Sequence, residues 1–363
     1  MPTNTTHSSV ITSLFGLVSI VLGACSRPAI NTNSVVATVE TQPVASLDDA
    51  ADDPAIWINR ADPTQSLILG TDKKAGLAVY DLSGSQVQFL PVGRVNNVDV
   101  REGLQINGTM HTIAAASQRD QKAILLWTID PAGGMLREIP GGPIATGLGE
   151  PYGICLSRTS AAGDGRLYVF VNGKDGRIEQ YLLTADQSDS VHARLVRTLQ
   201  LKTQPEGMVA DEGQGVVFIG EEVLGVWRFP LDPDAGTQGT LIASAKPNGE
   251  LTADVEGIAL VIPQGAKPGS LDGWLIVSSQ GSNQYAIYDR KPPHAFRTIF
   301  SIVDSASVDG TQETDGLDVT TTSLGPLFPF GLLVVQDGDN NGLPQNFKLV
   351  PWEFVERLIQ KKK

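Results

Sequence analysis

Only two cysteines occur in the 363 residues, Cys25 and Cys155, too few for a disulfide framework. Histidine is nearly as scarce. His7, His111, His192 and His294 are scattered, with no His-Glu-X-X-His pair and no Arg-His-Gly loop, which excludes those zinc and histidine-nucleophile chemistries. A thiol phosphatase would need an arginine six residues after its cysteine, but Ala161 stands at that distance from Cys155. Cys155 lies in an apolar run and reads as a buried structural thiol. Basic charge is also short, 27 Lys and Arg against 40 Asp and Glu for a net charge of −13. That balance argues against a nucleic-acid binder, which must neutralise phosphates. The apolar stretch at residues 10–24 is too short and too near the N-terminus for a stable membrane span, and reads as the core of a signal peptide.

That stretch ends in Leu22-Gly23-Ala24-Cys25, which resembles a bacterial lipobox, where the cysteine thiol receives a lipid after cleavage. Ser26 follows, and by resemblance favours the outer membrane. The segment before residue 10 carries no Lys or Arg, although a positive start is usual; simple export to the periplasm or medium is the alternative. The expected organisation is a lipoprotein-type signal peptide at residues 1–24, with lipidation at Cys25. A flexible tether at residues 25–44, rich in Thr, Asn, Pro and Ser, would follow. One domain would fill residues 45–363.

Glycine (38) and proline (22) are plentiful but aperiodic, and short Val/Ile/Leu runs between them suggest an all-β chain. One pattern recurs six times: an apolar strand, a polar loop and a second strand bearing an aromatic. The copies are SLILG-TDKKAG-LAVYDL, TIAAA-SQRDQKA-ILLWTI, LYVFV-NGKDGR-IEQYLL, VVFIG-EEVLG-VWRFPL, WLIVS-SQGSNQY-AIYDR and GLLVV-QDGDNNGLPQN-FKLVPW. From Tyr80 through Trp127, Tyr181, Trp227 and Tyr288 to Trp352 the spacings are roughly 47, 54, 46, 61 and 64 residues, comparable to propeller blades. Before each copy another apolar strand opens on an acid or amide: Asp53-Pro54, Asn97-Val98, Glu150-Pro151, Glu206-Gly207, Glu256-Gly257 and Asp315-Gly316. A single four-stranded sheet buries too little to be stable, whereas six around an axis bury their faces on one another. The expectation is a single-domain six-bladed β-propeller.

Any one of these loops is explained by Asp, Asn and Gly as turn formers. The set is not, because Lys73, Lys74, Arg119 and Lys174 fall in the first three copies while Glu206, Glu221, Glu222, Glu256, Asp315 and Asp337 dominate the last three. If the loops meet at one end of the axis, half the rim is cationic and half anionic. Converging carboxylates raise one another's pKa unless they bind cations, and all-oxygen ligands suit Ca²⁺ or Mg²⁺. Lys and Arg opposite them suit phosphate. A phosphate ester held between metal ions and basic side chains is the chemistry these residue types allow.

The same stretches resemble the β-propeller phytases over essentially all of residues 45 to 357. The most specific are Asp49-Ala-Ala-Asp-Asp-Pro-Ala-Ile-Trp57, Thr71-Asp-Lys-Lys-Ala-Gly-Leu-Ala-Val-Tyr80, Asn96-Asn-Val-Asp-Val-Arg101, Asn172-Gly-Lys-Asp-Gly176, Pro205-Glu-Gly-Met208, Asp254-Val-Glu-Gly257, Ser278-Ser-Gln-Gly281, Thr314-Asp-Gly-Leu-Asp318 and Gln345-Asn-Phe-Lys-Leu-Val-Pro-Trp352. The resemblance implies an enzyme using several calcium ions to hydrolyse phytate (myo-inositol hexakisphosphate), free or as its calcium salt, by direct attack of metal-activated water; a monomer is the expectation, although nothing in the residues fixes oligomeric state. It implies that Lys73, Arg119, Tyr152 and Lys174 contact the phosphate being cleaved and that Lys74 holds a neighbouring one at an affinity site. Glu206, Glu221 and Glu256 match the carboxylates of the catalytic ions, with Glu222 and Asp175 beside them. Asp52, Asp53, Asp99, Asp315, Asp337 and Asn346 match structural or bridging metal positions. Asp175 stands where Glu is expected, and Val223-Leu224 stand where a further acid is common. A calcium-dependent lactonase or phosphotriesterase on the same fold, or a propeller serving as a binding module, are the rival readings; neither calls for the paired Lys73 and Lys74.

Overall fold

The computed structural model describes residues 1–3, 33–158, 165–267 and 269–360. The chain divides into residues 1–32 and a unit spanning residues 33–363; the account below concerns the second.

Each recurrent apolar run forms a strand because its Val, Ile and Leu residues are bounded by turn residues that satisfy the backbone locally. In the first hairpin, Asp72 Oδ1 accepts from the N–H groups of Lys74 and Ala75, both at 3.1 Å, which closes the turn and presents Lys73 and Lys74 at its tip. Six sheets result, antiparallel except for one added edge strand. Their innermost strands are Ala51–Trp57, Val95–Ile106, Pro151–Arg158, Pro205–Asp211, Val255–Val261 and Leu317–Thr320. These pack side by side around an axis, the last against the first. Numbered by these strands, blades 1 to 6 contain all six hairpins read from the sequence, so the propeller expectation holds.

Among the described residues the buried apolar side chains do not gather in one central core. Instead, six hydrophobic clusters lie one between each pair of neighbouring blades. Both faces of a blade are therefore covered, which is why middle strands such as Leu167–Gly173, Val216–Glu221 and Leu332–Asp337 are buried at every position and do not alternate with polar residues. Cys155, 1% exposed, sits in the cluster between blades 3 and 4 as a structural thiol.

The start of the domain differs from the expected boundary at residue 45. Ser34–Val35 pairs in parallel with Phe296–Ile302 as a fifth strand of blade 5, and Val39–Glu40 pairs antiparallel with Asn346–Pro351 as the outer strand of blade 6. Residues 33–44 are thus a staple that closes the ring, and Val35, Ala37 and Val44 are buried in it. Lys348, wholly buried, fastens the staple: its Nζ lies 2.5 Å from Glu40 and 3.1 Å from Asp337, and it also bonds Asp309. A nine-residue helix, Trp352–Gln360, ends the described chain and lays Trp352, Val355, Leu358 and Ile359 on the cluster between blades 5 and 6. Cys25 and most of the signal segment lie outside the described residues.

Candidate functional site

Five innermost strands begin with a bulge, where register with the second strand jumps over two residues. The residues skipped are Asp52-Asp53, Asn96-Asn97, Tyr152-Gly153, Glu206-Gly207 and Glu256-Gly257, and in blade 6 Asp315-Gly316 sits just before its strand. A bulge re-aims side chains out of the pleat, here toward one mouth of the axis. In blades 3 to 6 the second residue is glycine because the next blade comes too close for a side chain: a Cβ on Gly153 would lie 1.9 Å from the carbonyl oxygen of Glu206, and one on Gly207 2.3 Å from that of Glu256. Asn172 locks the approach, accepting from Gly153 N–H and donating to the Glu206 carbonyl, each at 2.8 Å.

The mouth holds a cavity of about 470 Å³ lined by Asp52, Lys73, Tyr152, Glu206, Glu222, Glu256 and Asp315 together with Asp49, Gln204, Asp254, Gln280, Glu313 and Gln345. Oxygens of Glu206, Glu222 and Glu256 all lie within 4.8 Å of one another, close enough to share a metal ion. Oδ1 of Asp52 and Oε2 of Glu256 are buried without a hydrogen-bond partner among the described residues, while Oδ2 of Asp52 faces the Lys73 ammonium at 3.2 Å. An all-oxygen donor set with orphaned carboxylate atoms fits a hard divalent cation. Burial raises the pKa of Glu206 well above the carboxylate range, reinforced by Glu256 and Asp52, and burial pushes Glu256 up to about 7. Burial and the Asp52 charge do the same to Asp315.

Lys73 is not across the mouth from these acids, as a two-halved rim would have it, but among them. Its Nζ lies 2.6 Å from Asp49, 3.2 Å from Asp52 and 3.4 Å from Asp315. Burial disfavours the ammonium, yet the surrounding carboxylates outweigh it and raise its pKa. The other cations gather at Tyr152: Lys174 Nζ sits 4.3 Å from the ring centroid and Arg119 Cζ 5.5 Å, within cation–π range. Arg119 reaches Glu150 Oε1 through Nε at 2.7 Å and also through Nη2. Its Nη1 donates to Asn96 Oδ1 at 3.2 Å, while Asn96 Nδ2 donates to Glu206 Oε1 at 2.9 Å. The buried Asn96 amide thus joins the cationic cluster to the acidic one.

Several expected site residues stand elsewhere. Glu221 is fully buried with both oxygens consumed, Oε1 by the N–H groups of Lys202 and Thr203 and the Thr203 hydroxyl, and Oε2 by Trp227 Nε1 at 2.7 Å. It faces away from the cavity, and Glu222 takes the place expected of it. Asp53 and Asp99 lie in the axial channel with Asp318, where they accept from Val98 N–H (3.0 Å) and Leu156 N–H (2.6 Å) of the next blade; burial raises the pKa of both. Asp337 and Asn346 belong to the Lys348 staple, with Asn346 Oδ1 buried and unpaired. Lys74 is exposed on the rim, bonding the Leu47 carbonyl. Asp175 is exposed in its hairpin and accepts from Arg177 N–H at 3.2 Å. Asp254, Gln280 and Asn96, not singled out from the sequence, sit inside stretches recognised there, so their neighbours were the available signal. Glu150 opened a repeat without being assigned a role.

A six-bladed propeller whose mouth combines a metal-competent carboxylate cluster with Lys, Arg and Tyr is built to handle a polyanion. The sequence profile of the phytase family matches residues 4–363, and the chain belongs to that family. The chain is 41% identical to the 3-phytase of Bacillus subtilis (strain 168) over 333 residues, covering 90% of this chain and 85% of that protein. It is a phosphoric monoester hydrolase. Among solved structures, an auxiliary nutrient binding protein from Bacteroides thetaiotaomicron matches in fold with a TM-score of 0.52 at 9% identity, covering 87% of this chain and 75% of that one.

Proposed function

We propose that this enzyme releases phosphate from phytate at the mouth of the propeller with calcium ions held by Glu206, Glu222 and Glu256, with Asp52, Asp254 and Asp315 alongside. The observation that carries this reading is the convergence of that carboxylate cluster with Lys73 and Tyr152 on one cavity. Bound calcium would neutralise substrate charge and lower the pKa of a coordinated water. The chain's own part is positioning and electrostatics. Lys73, held rigidly by three carboxylates, points its ammonium at the cavity, where it offsets charge building on the equatorial phosphate oxygens. Arg119 and Lys174, stacked on Tyr152, offer a guanidinium and a second ammonium to the same phosphoryl group, and Lys74, exposed on the rim, takes a neighbouring phosphate. The proposed step is direct attack by water on phosphorus, with no covalent enzyme intermediate.

Phosphate release from phytate, with and without excess EDTA, tests the proposal. EDTA-sensitive release that returns on calcium addition is the expected result; release indifferent to EDTA, or hydrolysis of a lactone in its place, refutes it. For residues 1–25 the proposed reading is export with a lipid on Cys25, supported by the apolar run and the Leu22-Gly23-Ala24-Cys25 sequence. Mass spectrometry of the mature N-terminus decides between acylated Cys25 and free secretion.

A further inference from the structure

Glu150 has no place in the chemistry above, yet it engages both cations of the cluster at Tyr152. Its Oε1 receives two N–H groups from the side of the Arg119 guanidinium, and Lys174 Nζ lies 4.0 Å from the same oxygen. Two guanidinium N–H groups and a nearby ammonium drawn to one carboxylate oxygen are the donors that would otherwise meet a phosphoryl oxygen. With Glu150 on Nε and Nη2 and Asn96 on Nη1, every nitrogen of the Arg119 guanidinium already has a partner.

Position sets Glu150 apart from the acids that serve the metal cluster. Its side chain is 37% exposed, against 13% for Arg119, and it does not line the cavity that Glu206, Glu222 and Glu256 share. It stands just before the bulge of blade 3. Leaving Arg119 therefore returns its carboxylate to water at little cost, whereas Arg119 is held by Asn96 and the Tyr152 ring and stays.

We propose that Glu150 is a resident anion of the phosphate site: it neutralises Arg119 and Lys174 in the free enzyme, and the incoming phosphoryl group must displace it. The inference rests on the reading of Arg119 and Lys174 as phosphate ligands. It makes Glu150 a specificity-determining residue. A phosphomonoester dianion outcompetes a single carboxylate charge, while a monoanionic phosphodiester, with no charge advantage, does not. The enzyme thereby discriminates between ester classes before chemistry begins.

The test is binding of inorganic phosphate and of dimethyl phosphate to the calcium-loaded enzyme by calorimetry, in wild type, Glu150→Gln, Glu150→Asp and Arg119→Ala. Glu150→Gln is expected to tighten phosphate three- to tenfold, about 0.7–1.4 kcal/mol, to lower KM for phytate with it, and to bring dimethyl phosphate into measurable binding. Glu150→Asp keeps the charge and is expected to remain near wild type, which keeps the test open should Glu150→Gln fold poorly: phosphate binding by Glu150→Asp as tight as that expected for Gln overturns the proposal. Unchanged or weaker phosphate binding by Glu150→Gln, with kcat falling, also overturns it and makes Glu150 an anchor for Arg119. If Arg119→Ala binds phosphate as well as wild type, the phosphate-ligand reading itself fails and takes this inference with it.

Discussion

At the scale of single residues, the mouth is a set of carboxylates whose charge is costly until a cation arrives. Glu206→Gln keeps the volume and the Asn96 contact region but removes one ligand and one negative charge. Turnover is expected to fall at least a hundredfold, about 2.7 kcal/mol or more in transition-state stabilisation, while thermal stability without metal holds or rises because like-charge repulsion is relieved. Lys73→Ala is expected to behave differently. It removes the shared partner of Asp49, Asp52 and Asp315, so turnover and stability fall together, the latter by about 3–5 kcal/mol as for other broken buried pairs. Calorimetry and phosphate-release assays on the two variants distinguish a ligand from a keystone. The pH dependence follows from the same charges. Glu256 has its pKa pushed up to about 7 from an ordinary 4.5, chiefly by burial. A raised folded pKa lends stability that is full below the unfolded value and is lost as pH climbs through the folded one. Metal-free protein should therefore lose Tm between about pH 4.5 and 7, and calcium should restore most at the alkaline end; a metal-free Tm that rises across this window would contradict the picture.

At the scale of elements, the site is made by a repeated defect. Five blades carry a bulge at the same point of the innermost strand, and the two residues it frees are the ones that reach the mouth or the axial channel. The acid-glycine pairs legible in the sequence are the trace of this device: the acid is aimed by the bulge, and the glycine admits the neighbouring backbone. Gly207→Ala would place a Cβ 2.3 Å from the Glu256 carbonyl, forcing apart the strands that carry Glu206 and Glu256. A loss of roughly 2 kcal/mol or more in denaturant unfolding is expected, with activity falling further than stability. Gly133→Ala, with nothing within 4 Å of its would-be Cβ, serves as the control and should change the midpoint by less than about 0.5 kcal/mol.

At the scale of the whole molecule, a propeller is only as stable as its closure. Blade 6 takes its outer strand from Val39–Glu40, nearly the whole chain away from its partner Asn346–Pro351, and blade 5 gains Ser34–Val35. A protein beginning at residue 45 lacks both strands and leaves Lys348 buried with one carboxylate partner fewer. Its Tm should fall well below that of a protein beginning at residue 33, by about 2–4 °C for each kcal/mol lost in a chain of this size or somewhat smaller. Equal transitions in differential scanning calorimetry would show that residues 33–44 do not close the ring.

The amino-acid sequence by itself determined the six hairpins, the all-β class and the family, because strand runs, turn residues and acid-glycine pairs are local and recur in a fixed order. It also placed Lys73, Arg119, Tyr152, Lys174, Glu206 and Glu256 in segments that do meet at or beside one mouth. Tertiary structure alone decided which way each side chain faces. Glu221 and Glu222 are adjacent and chemically alike, but successive strand residues point to opposite sides, and only the hydrogen bonds from Lys202, Thr203 and Trp227 show which of the two is consumed. Nor could a linear reading reveal that Lys73 sits among acids from two blades, that Glu150 sits on Arg119, or that residues 33–44 are structural. Each of those facts is a contact between segments far apart in the chain, and the register that brings them together is set by the closed ring, which exists only once all six blades have packed.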